Sequence, residues 1–249
     1  MNRRSVCGTS FEQRVYPMDG RQPLWDSYVP KNDTAKRCFD LLTSGVGLLI
    51  SSPILAAVAM GICVLDGRPI FFRQWRIGRG GAGFWLYKFR TMHTAPNAEA
   101  GRFDAGNVAR VTRTGRILRR TKLDELPQLW NVLRGDMSLV GPRPEVERWV
   151  GEFPQRWAFV HQVRPGITDP ATVMYRNEED LLRACSNPEE QYRREILPKK
   201  LSMYERHIRT QTFWGDIRIL LQTLAAIAHF PGLGTTRTSE PPRASKEQT

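Results

Sequence analysis

Residues 41–65 read LLTSGVGLLISSPILAAVAMGICVL, 25 positions without a charge. As a straight helix this segment would measure roughly 37 Å, enough to cross a hydrocarbon core of about 30 Å. It is not a signal peptide, because it starts too deep in the chain and no small-residue cleavage site closes it before a basic region begins. A buried core helix is a poorer reading, since so long an uncharged run is unusual in a domain of this size. At the midpoint stands Ser51-Ser52-Pro53. Proline deletes one helical hydrogen bond and crowds the preceding turn, so a break or sharp kink is predicted there. Serine hydroxyls can satisfy some of the freed backbone groups inside lipid. Lys31, Lys36 and Arg37 precede the segment, and Arg68, Arg73, Arg76 and Arg79 follow it. Positive flanks belong on the cytoplasmic side, and here both flanks are positive. A bent helix that dips into the bilayer and returns to the same face satisfies both observations. An ordinary spanning helix that tolerates its proline stands beside it as the alternative.

The surrounding chain is strongly basic, and unevenly so. Of the formal charge of +12 over 249 residues, most lies in residues 67–122, where thirteen Lys and Arg face two acids, Glu99 and Asp104. Such a block calls for a polyanion: nucleic acid, anionic lipid headgroups or a phosphorylated substrate. The four cysteines, Cys7, Cys38, Cys63 and Cys185, are scattered, and the four histidines show no metal-ligand spacing, so a structural zinc is not expected.

Working outward, residues 1–33 are polar and without clear periodicity, which reads as an N-terminal extension. Residues 233–249 are rich in Thr, Ser, Pro and charge and are predicted to be disordered. PIFFRQWRIGRGGAGFWLYKFRTM carries two aromatic, partly alternating runs around a glycine cluster, the pattern of a β-hairpin. Its Gly78–Gly83 matches GxGxxG, but a strand-like run follows where a dinucleotide site needs a helix, so the match is read as a turn. Residues 95–109 read as a loop. Residues 110–122 hold six cations and no acid. In LDELPQLWNVL, Leu126, Leu129, Trp130 and Leu133 recur at helical spacing. Gly135-Asp136 closes that helix, MSLV is a short strand, and Gly-Pro-Arg-Pro at 141–144 is an extended, stiff loop. Residues 178–209 read as helices, and 213–230 as an amphipathic helix that either packs in a core or lies in a membrane interface.

Asp124-Glu125 is the pair that suggests chemistry. Thr121-Lys-Leu-Asp124 is also a capping-box pattern, and acids in a first helical turn suit the helix dipole. The setting shifts the balance, because an Arg-rich strip leads directly into the pair and a helix start offers N–H groups to a phosphate. A carboxylate can attack a phosphoryl group to give an acyl phosphate, given Arg, Lys or a divalent metal to neutralise the anion.

KRCFD before the apolar segment, Ser52-Pro53 within it, FFRQWRIGRGG, YKFRTM, RTKLDELPQLWNVLRGDMSLVGPRPE and RPGIT together resemble the bacterial sugar transferase family, the monotopic phosphoglycosyl transferases. The similarity runs in order over roughly residues 34–230. It implies an α/β fold, α+β and mostly helical. A re-entrant membrane helix at 34–66 would be broken at Ser52-Pro53, ahead of a cytoplasmic catalytic domain at 67–232 with interfacial amphipathic helices, at the bacterial inner membrane. The implied reaction is ping-pong. Asp124 attacks the phosphate that bears the sugar of a UDP-sugar, UMP leaves, and polyprenol (undecaprenyl) phosphate takes the phosphosugar as the first membrane step of glycan assembly. Glu125 would assist by helping Asp124 hold Mg2+ or by handling a proton, and Arg119 would bind phosphate. Lys88, Arg90, Arg143 and Asp216 match further functional positions. Downstream glycosyltransferases are implied partners, as is a second copy in a homodimer; nucleic acid is not.

The chain departs from the pattern at Thr168-Asp169-Pro170, where many members read Pro-Gly-Ile-Thr-Gly, and at Tyr204, where many carry an Asp. These departures bear on which sugar is used. The chain resembles the minimal catalytic form, without the several-helix domain that larger relatives place in front. Two other readings compete: a membrane-tethered nucleic-acid binder, for which no recognition module is visible, and an inactive scaffold relative.

Overall fold

The computed structural model describes residues 33–94, 108–175 and 178–228. The N-terminal extension (apart from Asp33), the disordered tail and most of the 95–109 loop expected from the sequence lie outside these residues.

The apolar segment is one helix, α1, Asp33–Leu65. Among the described residues it is the one helix long and apolar enough to cross a membrane. At Ser52-Pro53, where a break or a sharp kink is expected, the helix continues through Pro53. Pro53 has no N–H for the carbonyl of Leu49, and the Ser52 hydroxyl donates to that carbonyl instead at 2.8 Å.

Both ends of α1 are fastened to the same folded unit by polar groups. At the start, Lys36 Nζ donates to the Val140 carbonyl (2.9 Å) and to Asp216 (2.6 Å). Arg37 donates to the Val132 and Leu133 carbonyls, in the last turn of another helix, where cations are favoured. The Asp40 carboxylate accepts from the Leu139 N–H. At the far end, the Arg90 guanidinium donates to the carbonyls of Asp66, Gly67 and Arg68, and Thr112 donates to the Asp66 carboxylate. Between these anchorages, Leu49, Ile50 and Ile54 are exposed.

The rest is α+β and mostly helical. An antiparallel hairpin pairs β1 (Phe71–Ile77) with β2 (Gly83–Phe89), Trp75 opposite Trp85. Then come α2 (Arg113–Thr121), α3 (Gln128–Arg134) and β3 (Ser138–Val140), which runs parallel to β4 (Gly166–Thr168). Helices α4 (Glu147–Glu152) and α5 (Pro154–Val160) lie between those two strands in sequence. After β4 follow α6 (Pro170–Met174), α7 (Glu178–Arg183), α8 (Pro188–Gln191), a π-helical turn (Tyr192–Ile196), α9 (Leu197–Thr210) and α10 (Phe213–Ala228).

Three apolar clusters hold these pieces. The largest joins α4, α5 and α9 around Trp149, Trp157, Leu197 and Leu201. A second places Phe84 and Leu86 of the hairpin against Val132, Met137 and Leu139. The third closes Ile62 of α1 onto Phe89 and Leu118, so the hairpin base, α2 and the end of α1 meet.

Candidate active site

The capping box that the Thr121–Asp124 spacing allows is not formed. Helix α2 is capped by Thr112, whose hydroxyl accepts from the Gly115 N–H, and Thr121 is its last residue, donating back to the Ile117 carbonyl. Lys122 then adopts a left-handed conformation at φ 58°, which ends α2 and turns the chain. Asp124 and Glu125 therefore sit in a tight 3-10 turn, Leu123–Glu125, wedged between α2 and α3 rather than in the first turn of a helix. That turn points the pair inward, and Asp124 is only 6% exposed.

Three elements surround it. Strand β2 supplies Lys88 from its inward face, where Lys88 stands opposite Phe72 and its ammonium lies 5.2 Å from that ring. Helix α2 supplies Arg119, held by the Thr91 hydroxyl at 2.9 Å. The loop after β3 supplies Arg143, which donates to Glu125 at 2.7 Å. That loop is held rigidly. Gly141 and Gly166 pack backbone to backbone, and a Cβ on Gly166 would fall 2.1 Å from the Gly141 nitrogen, so no other residue fits there. From the hairpin, Arg76 donates to the Pro144 carbonyl and to Glu145, and Glu145 accepts from the Tyr192 hydroxyl at 2.5 Å.

The electrostatics follow from burial among cations. Burial, reinforced by the neighbouring charge of Glu125, raises the Asp124 carboxyl to about 6, against the pull of Lys88, Lys122 and Arg119. Burial also works against the charge of Glu125, but Arg143 outweighs it and holds that carboxyl well below its ordinary range. Burial lowers Lys88 to about 8, with Asp124 opposing. At neutral pH the site thus holds two ionised carboxylates and a set of cations. The Asp124 Oδ1 is fully enclosed with no hydrogen-bond donor among the described residues. An orphaned carboxylate oxygen ringed by positive charge is a costly arrangement in a resting protein. Asp216 Oδ1 is likewise buried without a donor, and what Asp124 has in addition is the combined charge of Lys88, Lys122 and Arg119 beside it.

A family model described as bacterial sugar transferase matches residues 31–229. The chain belongs to that family. It is similar to the UDP-glucose:undecaprenyl-phosphate glucose-1-phosphate transferase of Caulobacter vibrioides, 37% identical over 203 residues, covering 78% of this chain and 70% of the relative. It is also similar to the UDP-N-acetylgalactosamine-undecaprenyl-phosphate N-acetylgalactosaminephosphotransferase of Aeromonas hydrophila, 34% identical over 197 residues, covering 77% of this chain and 43% of the relative. The UDP-glucose:undecaprenyl-phosphate glucose-1-phosphate transferase of Escherichia coli is 35% identical over 207 residues, 81% of this chain and 42% of the relative. The chain thus spans less than half the length of the last two.

In this chain Asp124, Glu125, Lys88, Arg119 and Arg143 come together. Arg90 and Asp216, expected at the substrate, are committed elsewhere. Arg90 is buried and clamps the carbonyls of residues 66–68, and Asp216 is buried against Lys36, with a further hydrogen bond from Gln211. The sequence reasoning missed Arg76, Glu145 and Tyr192, which pin the Arg143 loop. Arg76 was legible in principle, because it shares the two-residue period of Lys88 through the hairpin register.

Among the described residues no group of three or more His, Cys, Asp or Glu gathers as a metal cage. Asp124 and Glu125 fit Mg2+ nonetheless, since that ion is commonly held by one or two carboxylates together with substrate phosphates and water, and Asp124 Oδ1 is unpartnered.

Proposed function

We propose that this chain transfers a sugar 1-phosphate from a UDP-sugar to polyprenol phosphate, the class of reaction named in its relatives. Asp124 acts as the nucleophile. A carboxylate oxygen of Asp124 attacks the phosphorus that carries the sugar, and the bond from that phosphorus to the bridging oxygen breaks. UMP leaves with the bridging oxygen and the electron pair. A phosphate oxygen of the polyprenol phosphate then attacks the same phosphorus, expelling the Asp124 carboxylate and giving the polyprenol diphosphate sugar. Lys88, Arg119 and Arg143 hold phosphate charge as it shifts, and Glu125 stays ionised against Arg143. Asp124 and Glu125 would hold Mg2+, which would supply further neutralisation of phosphate charge.

The observation that carries this reading is the buried, unpartnered Asp124 oxygen among three cations. The membrane placement rests on α1. Its start, through Lys36 and Arg37, and its far end, where Arg90 clamps the carbonyls of residues 66–68, are fastened to one folded unit while its apolar middle is exposed, which supports a helix that enters and leaves the bilayer on the cytoplasmic face. The reaction would open glycan assembly, its product passing to glycosyltransferases that extend the sugar.

The test is UMP release by the purified chain in nanodiscs, with Mg2+, undecaprenyl phosphate and a panel including UDP-glucose and UDP-N-acetylgalactosamine. Release with one donor, abolished in Asp124→Asn, is the expected result. Unchanged release in the variant would remove Asp124 from the chemistry.

A further inference from the structure

The hairpin is built the wrong way round for a strand pair that faces water. A half-buried sheet turns apolar residues inward and polar residues outward. Here the inward face takes the polar residues Gln74, Arg76 and Lys88 beside Phe84 and Leu86. The outward face is covered at Ile77 and Phe89 but shows Phe71 at 51% exposure, Trp75 at 38% and Trp85 at 37%, and Arg73 is its single charge. Trp75 and Trp85 stand directly opposite each other, ring centroids 5.2 Å apart and edge to face, with the Arg73 guanidinium 4.9 Å over Trp85.

This face continues from the anchorage of α1. Phe71 stacks on Phe89 at 5.3 Å, and Phe89 packs on Ile62 in the last turns of the apolar helix. Alongside, the exposed side of α2 presents Ile117 at 64% exposure between Arg113, Arg116 and Arg120. Tryptophan with a cation beside it, next to the end of a membrane helix, is the composition of the layer where acyl chains meet headgroups. Its cations suit anionic lipid.

We propose that the outward face of the hairpin, through Trp75 and Trp85, lies in the headgroup layer of the bilayer and sets how the catalytic domain sits on the membrane. The inference rests on the reading of α1 as the membrane anchor. It adds a second contact that a free-standing anchor would not need. Because Lys88 is on the opposite face of the same hairpin, the contact that seats the Trp pair in lipid also fixes the orientation of the active site above it.

The experiment reads tryptophan emission from the full chain in phosphatidylcholine–phosphatidylglycerol nanodiscs, with and without acyl chains brominated near the headgroup. The chain has seven tryptophans. Among the described ones Trp75, Trp85, Trp130 and Trp214 are exposed, and Trp149 and Trp157 are buried. The Trp75→Phe/Trp85→Phe variant keeps an aromatic ring at each position, and it should lose about half of the lipid-quenched emission if all four exposed rings meet lipid. Each single variant should lose about half as much, which keeps the result readable if the double variant folds poorly. Undiminished lipid quenching in these variants, with Trp75 and Trp85 quenched by aqueous iodide instead, would overturn the proposal. Protection of the pair from both quenchers would also overturn it, by assigning the face to a protein cover such as a second copy. Flotation with vesicles is measured beside it. A chain that does not float refutes the anchor reading itself, whereas a chain that floats with the pair unquenched refutes the hairpin contact alone.

Discussion

Replacing Asp216 by Asn should weaken the fold and spare the chemistry. Asp216 is 4% exposed. One of its oxygens receives Lys36 at 2.6 Å and Gln211 at 3.0 Å, and the other lies 3.6 Å from His207 Nε2. Burial holds His207 below its ordinary range, so at neutral pH the ring is uncharged and Lys36 is the balancing cation. Asn at this position leaves Lys36 with Asp40, one turn along α1, as its remaining countercharge. Removing one partner of a fully buried pair costs about 3–5 kcal/mol. The Lys36 side chain is 20% exposed and keeps its bond to the Val140 carbonyl, which brings the cost down to about 2–3 kcal/mol. For a domain of this size that is a fall of roughly 5–10 °C in melting midpoint. The assay pairs thermal unfolding in nanodiscs with UMP release at low temperature and saturating donor. The expected outcome is a lowered midpoint with kcat and KM near wild type. Lys36→Met/Asp216→Leu should recover much of the midpoint, because an apolar pair replaces the ionic one. An unmoved midpoint with lost activity would refute the reasoning and return Asp216 to the substrate.

Two further outcomes are expected. The rate of UMP release should follow a bell in pH, falling as Asp124 is protonated below about 6 and as Lys88 loses its proton above about 8. Lys88→Arg, which stays charged, should remove the alkaline limb in the same assay, and a persistent limb would mean another group titrates there. Arg90→Gln should cost about 2 kcal/mol in chemical unfolding, since hydrogen bonds to three carbonyls are weakened, and leave the donor KM unchanged. A KM raised several-fold at unchanged stability would place Arg90 at the substrate.

Much of this is legible along the chain because it is local. The hairpin follows from alternation around a glycine cluster, α3 from the spacing of Leu126, Leu129 and Leu133, and the rigid loop from two prolines around Arg143. The Asp124-Glu125 pair follows from its neighbours in sequence. What tertiary contacts add is of another kind. A Thr-x-x-Asp spacing predicts a cap, but Lys122 in a left-handed conformation puts Thr121 at the end of one helix instead of the start of the next. A proline predicts a break, but the adjacent Ser52 hydroxyl takes over the carbonyl that Pro53 leaves unpaired.

The sequence by itself determined that the chain has one long apolar helix with basic flanks, a hairpin, and an acidic pair set among cations, because each depends on residues within a few turns of one another. Only the tertiary structure decided what each of these charges is paired with. Arg90 and Arg143 both lie in motifs shared with the family, and Asp124 and Asp216 are both buried acids. What separates them is what comes within about 3 Å: backbone carbonyls for Arg90, Glu125 for Arg143, and Lys36 with Gln211 on one oxygen of Asp216; Asp124 and Asp216 each keep a buried Oδ1 with no donor among the described residues. A buried charge takes its role from its partner, and those partners lie 18 to 180 residues away along the chain.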